Sequence, residues 1–377
     1  MRQLISLSQM RTAVWPGQVA SRSLQTKQTA QFLDQAPLKV YPGTAFQGTL
    51  SFTSSVPVGV IALRTLVNQR GDFLMSTLPV IDTTTPPISG PVMVPQFTDG
   101  GGWATQIVLV NPTEKPLKGT LQVLDPNGGA TNVTIGGSTS NTFAYAVSGR
   151  SAQKLVTAGA NPALASGSVR IVPDGGSVVP TPLVVFSNKP SGITVSEAGV
   201  PVHTGTALRM YAESSGIRGK SGNIQSGVAV ANPYSSSVSV MFDVTDLNGS
   251  PISGIEPVPV TLLPFGHTAK FLADIFPSLP NPFKGVVRIT SSFGISVVGL
   301  RARYNERMPN PDFLITTTPP VPEGSPATVA PLFFPLLADG RGFTTEFILF
   351  SGETGQSSSG TLRFFDQNGQ TLSLTIR

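Results

Sequence analysis

Short runs of alternating apolar and polar residues recur along the chain, separated by turns rich in glycine, proline and asparagine. Alternation with a period of two is typical of strands that bury one face. The runs at 105–110, 227–231 and 345–350 therefore predict β-strands. The pattern as a whole predicts an all-β protein.

One strand and its turn occur three times. The sequence Gly-Thr-Leu-Gln-Val-Leu-Asp-Pro-Asn-Gly at 119–128 has a diverged copy at 237–249 and a close copy at 360–369. The aspartates Asp125, Asp246 and Asp366 lie about 120 residues apart, which is the spacing of a domain-sized repeat. Because Asn-Gly accepts the positive φ of a tight turn, each copy predicts a β-hairpin.

A second element repeats in step with the first. Strands that begin at Gly48, Gly167 and Gly285 are each followed by an apolar run, at 58–63, 183–186 and 295–300. We call the segment with the Asp-x-Asn-Gly turn the front half of a repeat, and the segment with the glycine-led strand the back half. Two elements in step predict tandem β-sandwich domains of about 120 residues.

The order of the halves predicts the domain boundaries. Back halves begin near Ser23, Gly149 and Gly266, and front halves begin near Phe97, Tyr211 and Leu336. Connections rich in proline and threonine, such as 79–87 and 318–326, suit semi-rigid linkers. The expected domains are a divergent N-terminus plus a back half at 1–88, complete sandwiches at 89–205 and 206–325, and a front half at 326–377. Residues 1–21 match nothing in the other units.

A segment with helical spacing lies between the halves. Residues 268–277 place apolar residues on one side of a short helix, with Thr268 as its cap and Pro277 at its end. Residues 29–37 match this segment, and 151–156 match it more weakly. The sequence therefore predicts one short helix between the halves of each domain.

Composition narrows the function. The chain has 377 residues, of which 12% are charged, and its net charge is +5. Its lysines and arginines form no cluster interleaved with aromatic residues, so nucleic-acid binding has little support. The absence of cysteine excludes disulfides, zinc–thiolate sites and thiol catalysis. No apolar stretch approaches the roughly 18 residues that a membrane span needs. Residues 1–10 lack the apolar core of a signal peptide, so a secreted protein would have its signal outside this chain.

Candidate chemistry is sparse, and we predict no catalytic, cofactor-binding or metal-ligating residue. His203, placed in a linker, and His267, placed before the short helix, recur in no other unit, and we interpret both as surface or capping histidines. The Asp-x-Asn-Gly turns begin like a calcium loop but lack its later ligands. A hairpin turn with a side-chain hydrogen bond explains all three, and calcium binding there stays open.

The glycine string of Asp99-Gly-Gly-Gly-Trp103 is followed by no helix and no Lys-Ser/Thr, so it does not predict a phosphate site. We expect Trp103, and Phe343 in the matching segment, to pack at the end of a sandwich. The alternative is an exposed ring that stacks on a sugar.

Three stretches resemble a known group of repeats. They are 97–112, 337–350 and the Ala-Leu-Arg…Asp-Phe-Leu-Met-Ser-Thr-Leu-Pro-Val signature at 62–80. They are similar to uncharacterised repeats of large secreted or surface proteins of soil bacteria, notably acidobacteria. The resemblance covers nearly everything after about residue 22, although the middle copy at 213–220 lacks the glycine string. It implies an extracellular immunoglobulin-like sandwich and brings no established activity.

We therefore expect a non-enzymatic extracellular structural or adhesive protein, such as a stalk, a surface-layer protein or a fibre subunit. The alternative is an array of carbohydrate-binding modules that recognises surface glycans, and an enzyme ranks third. The expected partners are other copies of the chain or neighbouring domains of a longer one. The terminal halves are complementary, which leaves three arrangements: a piece of a longer protein, head-to-tail completion into a filament or ring, or closure within one chain.

Overall fold

A computed structural model describes residues 48–55, 58–324, 331–351, 357–366 and 369–376, together with the backbone of four strands before residue 33. The described chain is nearly all β, with several antiparallel sheets. This confirms the all-β prediction. The chain divides into two compact units, one of residues 1–66, 77–80 and 326–377, and the other of residues 67–76 and 81–325.

The first unit contains the N-terminal strands and a C-terminal hairpin. In its sheets, β1 pairs with β4 and β6, β2 pairs with β3 and β5, and β26 pairs with β27. The segments Arg2–Ser8 and Thr12–Trp15, which match no other unit in sequence, therefore form strands. The strands that begin in the N-terminal part are β1 (Arg2–Ser8), β2 (Thr12–Trp15), β3 (Gln18–Ser23), β4 (Gln28–Phe32), β5 (Thr53–Ser54), β6 (Gly59–Val67) and β7 (Phe73–Leu78).

The second unit contains the sequence repeats at 89–205 and 206–325, which we call repeat 1 and repeat 2. Repeat 1 has two four-stranded sheets, with the orders β13-β10-β15-β8 and β14-β9-β16-β17. Its elements are β8 (Val92–Asp99), β9 (Trp103–Val110), β10 (Leu117–Leu124), β11 (Val133–Ile135), β12 (Ser138–Ser140), β13 (Thr142–Val147), β14 (Ala152–Val156), β15 (Ala165–Pro173), β16 (Thr181–Asn188), a 3₁₀ turn (Pro190–Gly192) and β17 (Ser196–Val200).

Repeat 2 follows the same strand order, but one long strand serves both of its sheets. The first part of β23 pairs with β18 and β20, and the second part pairs with β19 and β24. Its elements are β18 (His203–Ser215), β19 (Ile224–Ala231), β20 (Val238–Asp246), β21 (Val258–Leu262), β22 (His267–Phe271), α1 (Leu272–Ile275), β23 (Phe283–Tyr304), β24 (Phe313–Thr318) and β25 (Val321–Pro322). The C-terminal hairpin is β26 (Phe364–Phe365) and β27 (Thr371–Leu372).

Each repeat buries one apolar core to which both of its sheets contribute. In repeat 1, Leu121 of β10 and Ile107 of β9 belong to the same buried cluster. In repeat 2, Phe242 of β20 and Val230 of β19 do the same. Because facing sheets with alternating side chains produce such a core, both repeats are sandwich-like.

The prediction of a short helix between the halves of every domain is wrong for repeat 1. Residues 152–156 form β14, which pairs with β9. In repeat 2 the predicted segment begins as β22, and only Leu272–Ile275 is helical, with no side-chain cap. Of the matching segment at 29–37, residues 29–32 lie in β4 and the rest lie outside the described residues. The edge of a sheet offered hydrogen bonds to these residues, and this outweighed the helical spacing.

The strand prediction for 345–350 is also not met. Residues 105–110 and 227–231 lie in β9 and β19 as expected. Residues 344–350 form no strand in the structure, although they are the sequence counterpart of 104–110 in β9.

Candidate functional site

Two loops with the same design hold the most connected group of charges in the second unit. In the loop before β7, Asn68 Oδ1 accepts the backbone N–H groups of Arg70 and Asp72, both at 2.9 Å. Asn68 Nδ2 also donates to Asp72 Oδ2 at 3.0 Å. The asparagine thus folds the loop around its own aspartate, as short polar side chains do in turns.

The loop before β24 repeats this design about 240 residues later, two repeat lengths along the chain. Asn305 Oδ1 accepts the backbone N–H groups of Arg307 at 3.2 Å and of Asp312 at 2.8 Å. Asn305 Nδ2 donates to Asp312 Oδ2 at 3.1 Å. Both loops therefore present one arginine and one aspartate in matching positions.

The arginines exchange partners between the loops. Arg70 binds Asp312 with both terminal nitrogens, at 3.2 and 2.7 Å, while its Nε binds its own Asp72 at 3.0 Å. Arg307 Nη2 binds Asp72 Oδ1 at 2.9 Å, and its Nε binds its own Asp312 at 3.1 Å. Every carboxylate oxygen accepts at least one of these bonds. The result is a neutral cluster of four charges, which we call the loop clamp.

Protonation equilibria reflect this pairing. The hydrogen bond from Asn68, followed by the attraction of Arg307, lowers the pKa of Asp72. Burial raises the pKa of Asp312, but hydrogen bonds from Arg70 and Asn305 outweigh it and the net shift is downward. The hydrogen bond with Asp312 raises the pKa of Arg70. Asp72, Asp312 and Arg70 are therefore charged near neutral pH.

A shallow cleft of about 350 Å³ lies beside the loop clamp. Besides clamp residues, its walls are mainly apolar and come from the loop that follows β16 and from the loop before β24; they include Pro190, Ile193, Val195, Met308 and Pro309. Since the charges at its base already pair with one another, the cleft offers no free charge to a ligand.

Side-chain hydrogen bonds join the strands next to these loops. Ser196 Oγ of β17 bonds to both the carbonyl and the N–H of Ile315 in β24, at 2.9 and 2.8 Å. Thr317 Oγ1 donates to Gly199 O at 2.9 Å, and Gly199 N donates to Ser76 Oγ at 3.1 Å. These bonds fix three edge strands to one another. The site therefore lies where β7, β17 and β24 are joined by side-chain hydrogen bonds.

The Asp-x-Asn-Gly turns have the predicted hairpin geometry. Asp125 Oδ1 accepts the N–H groups of Asn127 and Gly129 at 2.8 and 2.9 Å, and Asp246 Oδ1 accepts those of Asn248 and Ser250, both at 2.8 Å. Gly128, Gly249 and Gly369 all have positive φ. In the third copy, Asp366 Oδ1 accepts the N–H of Gln370 at 2.7 Å, while 367–368 lie outside the described residues. One carboxylate oxygen of each turn therefore serves the backbone.

The glycine string enters β9 as a tight turn. Gly100, Gly101 and Gly102 all have positive φ, and Asp99 Oδ1 accepts the N–H of Gly159 at 2.8 Å. Trp103 is half-buried against the core of repeat 1, and its ring meets that of Phe313 edge-on at 6.0 Å. Packing is therefore the role of Trp103. Phe343, in the matching position, is exposed.

The interpretation of the histidines as surface residues is wrong for His267. Its side chain is buried, and Nε2 lies 2.6 Å from Gln96 Oε1 of repeat 1. Burial lowers its pKa to about 4. His203 opens β18 and does not lie in a linker, and burial lowers its pKa as well. The two repeats meet at His267, because its backbone N–H also donates to Pro126 O in the Asp-Pro-Asn-Gly turn at 2.9 Å.

The signature at 62–80 contains Asp72, and its Asp-Phe-Leu segment recurs at Asp312, but the sequence analysis missed the arginines. The signal was present, because Asn68-x-Arg70 and Asn305-x-Arg307 each precede the aspartate of that motif. Within the described residues, no group of three or more histidine or acidic side chains could hold a metal ion. In the same part of the chain, no helix is long and apolar enough to cross a membrane.

Comparison of the chain with models of known protein families, with curated protein sequences and with solved structures gives no match.

Proposed function

We propose that this chain is a non-enzymatic, extracellular structural or adhesive protein of a bacterium, built from tandem immunoglobulin-like sandwiches. Its role is to hold repeats in a fixed arrangement, as in a stalk, a surface layer or a fibre. The observation that carries the proposal is the loop clamp, in which two copies of one motif bind each other.

The polar groups of the clamp are used for cohesion. Catalysis needs a base or nucleophile with free hydrogen-bonding capacity and a pKa suited to its task. Here the aspartates have lowered pKa values and accept bonds from arginine and asparagine. Charge-assisted bidentate pairs such as Arg70 with Asp312 give geometric specificity, which suits a contact between repeats.

Repeat 1 and repeat 2 also share a buried apolar contact. Met93 and Leu124 of repeat 1 form a buried cluster with Ala231 of repeat 2, and Phe265 packs against it. Ser296 Oγ of repeat 2 donates to Met93 O at 2.6 Å. Only two residues separate β17 from β18. A short connection and a buried contact resist bending, which is what a spacer requires.

The test is to locate the protein and to measure its rigidity. We expect antibodies against the purified chain to label intact cells of the source bacterium. Limited proteolysis should spare the connection at 201–202. Label confined to lysed cells, or early cleavage at this connection, would contradict the proposal, and turnover of any substrate in a broad hydrolase panel would contradict the non-enzymatic role.

A second candidate is carbohydrate binding, and one observation favours it. Tyr234 and Phe293 of repeat 2 are both exposed, and their ring centres lie 5.6 Å apart. Exposed aromatic rings stack on sugars. Binding to a glycan array that disappears in Tyr234→Ala/Phe293→Ala would support this candidate, with Phe73→Ala, an exposed ring elsewhere, as the control.

A further inference from the structure

The C-terminal copy, by which we mean the described residues 331–351, 357–366 and 369–376, is the sequence counterpart of the first strands of repeat 1 and keeps several of their local contacts. Thr345 Oγ1 donates to Ala338 O at 2.8 Å, as Thr105 Oγ1 donates to Thr98 O at 2.7 Å. The bridge between Gly340 and Phe343 matches the bridge between Gly100 and Trp103. The turns of the two segments are therefore the same.

The long-range pairing of the two segments differs. In repeat 1, β15 lies between β8 and β10 and pairs with both. In the described part of the C-terminal copy, the counterpart of β8 at 332–339 contains no strand, and the counterpart of β10 is reduced to β26. A back-half strand in the place of β15 is what the C-terminal copy lacks.

Its core positions are consequently exposed. Val94, Leu109 and Leu121 of repeat 1 are each 0% exposed. Their counterparts Phe334, Leu349 and Leu362 are 49%, 61% and 40% exposed. Such an apolar face calls for a partner.

The apolar residues that do meet form half of a core. The rings of Phe334 and Phe347 lie 5.1 Å apart, and those of Phe347 and Phe364 lie 5.9 Å apart. These positions correspond to Val94, Ile107 and Val123, which are all in the core of repeat 1. Three rings at core positions are therefore already in contact in the C-terminal copy.

A matching back half belongs to the same compact unit. Residues 48–55 are the sequence counterpart of 167–174, which includes most of β15, but only Thr53–Ser54 forms a strand there, and it pairs with β2. A Cβ atom built on Gly59 would lie 3.5 Å from Phe333 Cβ, so the back half touches the C-terminal copy. The two halves are therefore within reach of each other.

We propose that residues 331–376 are the front half to which the back half at 48–66 of the same chain belongs. The strand at 48–55 enters between 331–339 and 360–366, in the place of β15. The register of β15 with β10 in repeat 1 puts Leu50 opposite Phe364 and Phe52 opposite Leu362. Strand addition of this kind pairs open edges and buries the apolar face. Partners held in one unit meet at high effective concentration, which favours this chain over a second copy.

The chain has no cysteine, so the register can be tested by crosslinking. In Phe52→Cys/Leu362→Cys we expect a disulfide, or a bridge by a short bis-maleimide, within a monomer. The pair Gly59→Cys/Phe333→Cys is the positive control, since its Cβ separation of 3.5 Å suits a disulfide. Each single variant is the negative control.

The crosslinking experiment has three distinguishable results. An intrachain link at the first pair supports the proposal. Linked multimers that lengthen with concentration would mean head-to-tail completion, and would overturn it. If the positive control forms its link but the first pair does not, Thr53–Ser54 stays paired with β2, and this result also overturns the proposal.

A single glycine substitution tests the same proposal if the double cysteine variant fails to fold. A Cβ on Gly119 would lie 2.1 Å from Val172 O, because β15 passes there, whereas Gly360 has open space around it. If a back-half strand covers Gly360, Gly360→Ala should lower the Tm by at least about 4 °C. Gly175→Ala, which also has open space, is the control. An unchanged Tm in Gly360→Ala would overturn the proposal.

Discussion

The front half of repeat 1 and the C-terminal copy share a sequence pattern but differ in how far they fold. Both make the glycine turn and the Asp-x-Asn-Gly turn. Only repeat 1 extends them into a ladder, in which β15 pairs with β8 and β10.

The difference shows which contacts are local. A turn closes over a few residues at little entropic cost, whereas a strand gains its hydrogen bonds and its buried face from partners far along the chain. In repeat 1 those partners come from the back half, and the outer face of β8 also contacts repeat 2 through Gln96. Removing the back half, or removing repeat 2, should therefore make the front half of repeat 1 resemble the C-terminal copy.

The largest effect is expected from the core. Leu121→Ala removes a fully buried side chain between the sheets of repeat 1. We expect a loss of about 3 kcal/mol in the free energy of unfolding, measured by urea denaturation. Leu247→Ala, at an exposed turn position, should cost less than about 0.5 kcal/mol. Equal costs for both variants would contradict the core of repeat 1.

The pH dependence of the contact between the repeats comes next. The pKa of His267 is about 4 in the folded protein and 6.5 without burial. Between pH 6.5 and pH 4, therefore, the imidazole gains a proton in the unfolded chain but not in the folded protein. Stability from the neutral imidazole is complete above pH 6.5 and is lost as the pH falls toward 4. By linkage the loss is about 3 kcal/mol.

The check is to compare unfolding free energies at pH 7 and pH 4.5 with those of His267→Gln, which keeps a polar side chain beside Gln96. Carboxylates titrate in both proteins, so the difference between them reports the histidine. An identical pH dependence in the two proteins would show that His267 is open to water.

A smaller effect is expected where two strands approach closely. In Gly119→Ala, the new Cβ would lie 2.1 Å from Val172 O and 2.5 Å from Tyr145 Oη. We expect a loss of about 2 kcal/mol as β10 and β15 separate. Calorimetry of this variant beside Gly175→Ala would measure it. Full stability would mean that the two strands are not held at this distance.

The smallest effect is expected at the loop clamp, which is partly exposed. A double-mutant cycle of Arg70→Met and Asp312→Asn should give a coupling of about 1 kcal/mol that weakens in high salt. The pKa of Asp312 is lowered from its ordinary value of 3.8, so its contribution is present above that pH and is lost as the pH falls through the folded pKa. Zero coupling at low salt would show that the Arg70–Asp312 pair does not stabilise the fold.

Much of the fold was predictable because its signals are short in range. The alternation of residues predicted the strands of both repeats, and Asn-Gly predicted the hairpins, in which Gly128 and Gly249 take positive φ. The helix prediction was wrong for 152–156 because a sheet edge supplied hydrogen bonds that no spacing rule contains. The clamp was missed because nothing local indicates that Arg70 meets Asp312.

By itself, the sequence determined the strands, their turns and the period of about 120 residues, since these depend on side chains that are near neighbours along the chain. The tertiary structure alone decided that His267 is buried against Gln96 and that the two motifs around Asp72 and Asp312 bind each other. It also decided that Leu121 is buried while Leu362 is exposed. These outcomes depend on which distant segment arrives at each edge, and residues of the same type meet different partners there.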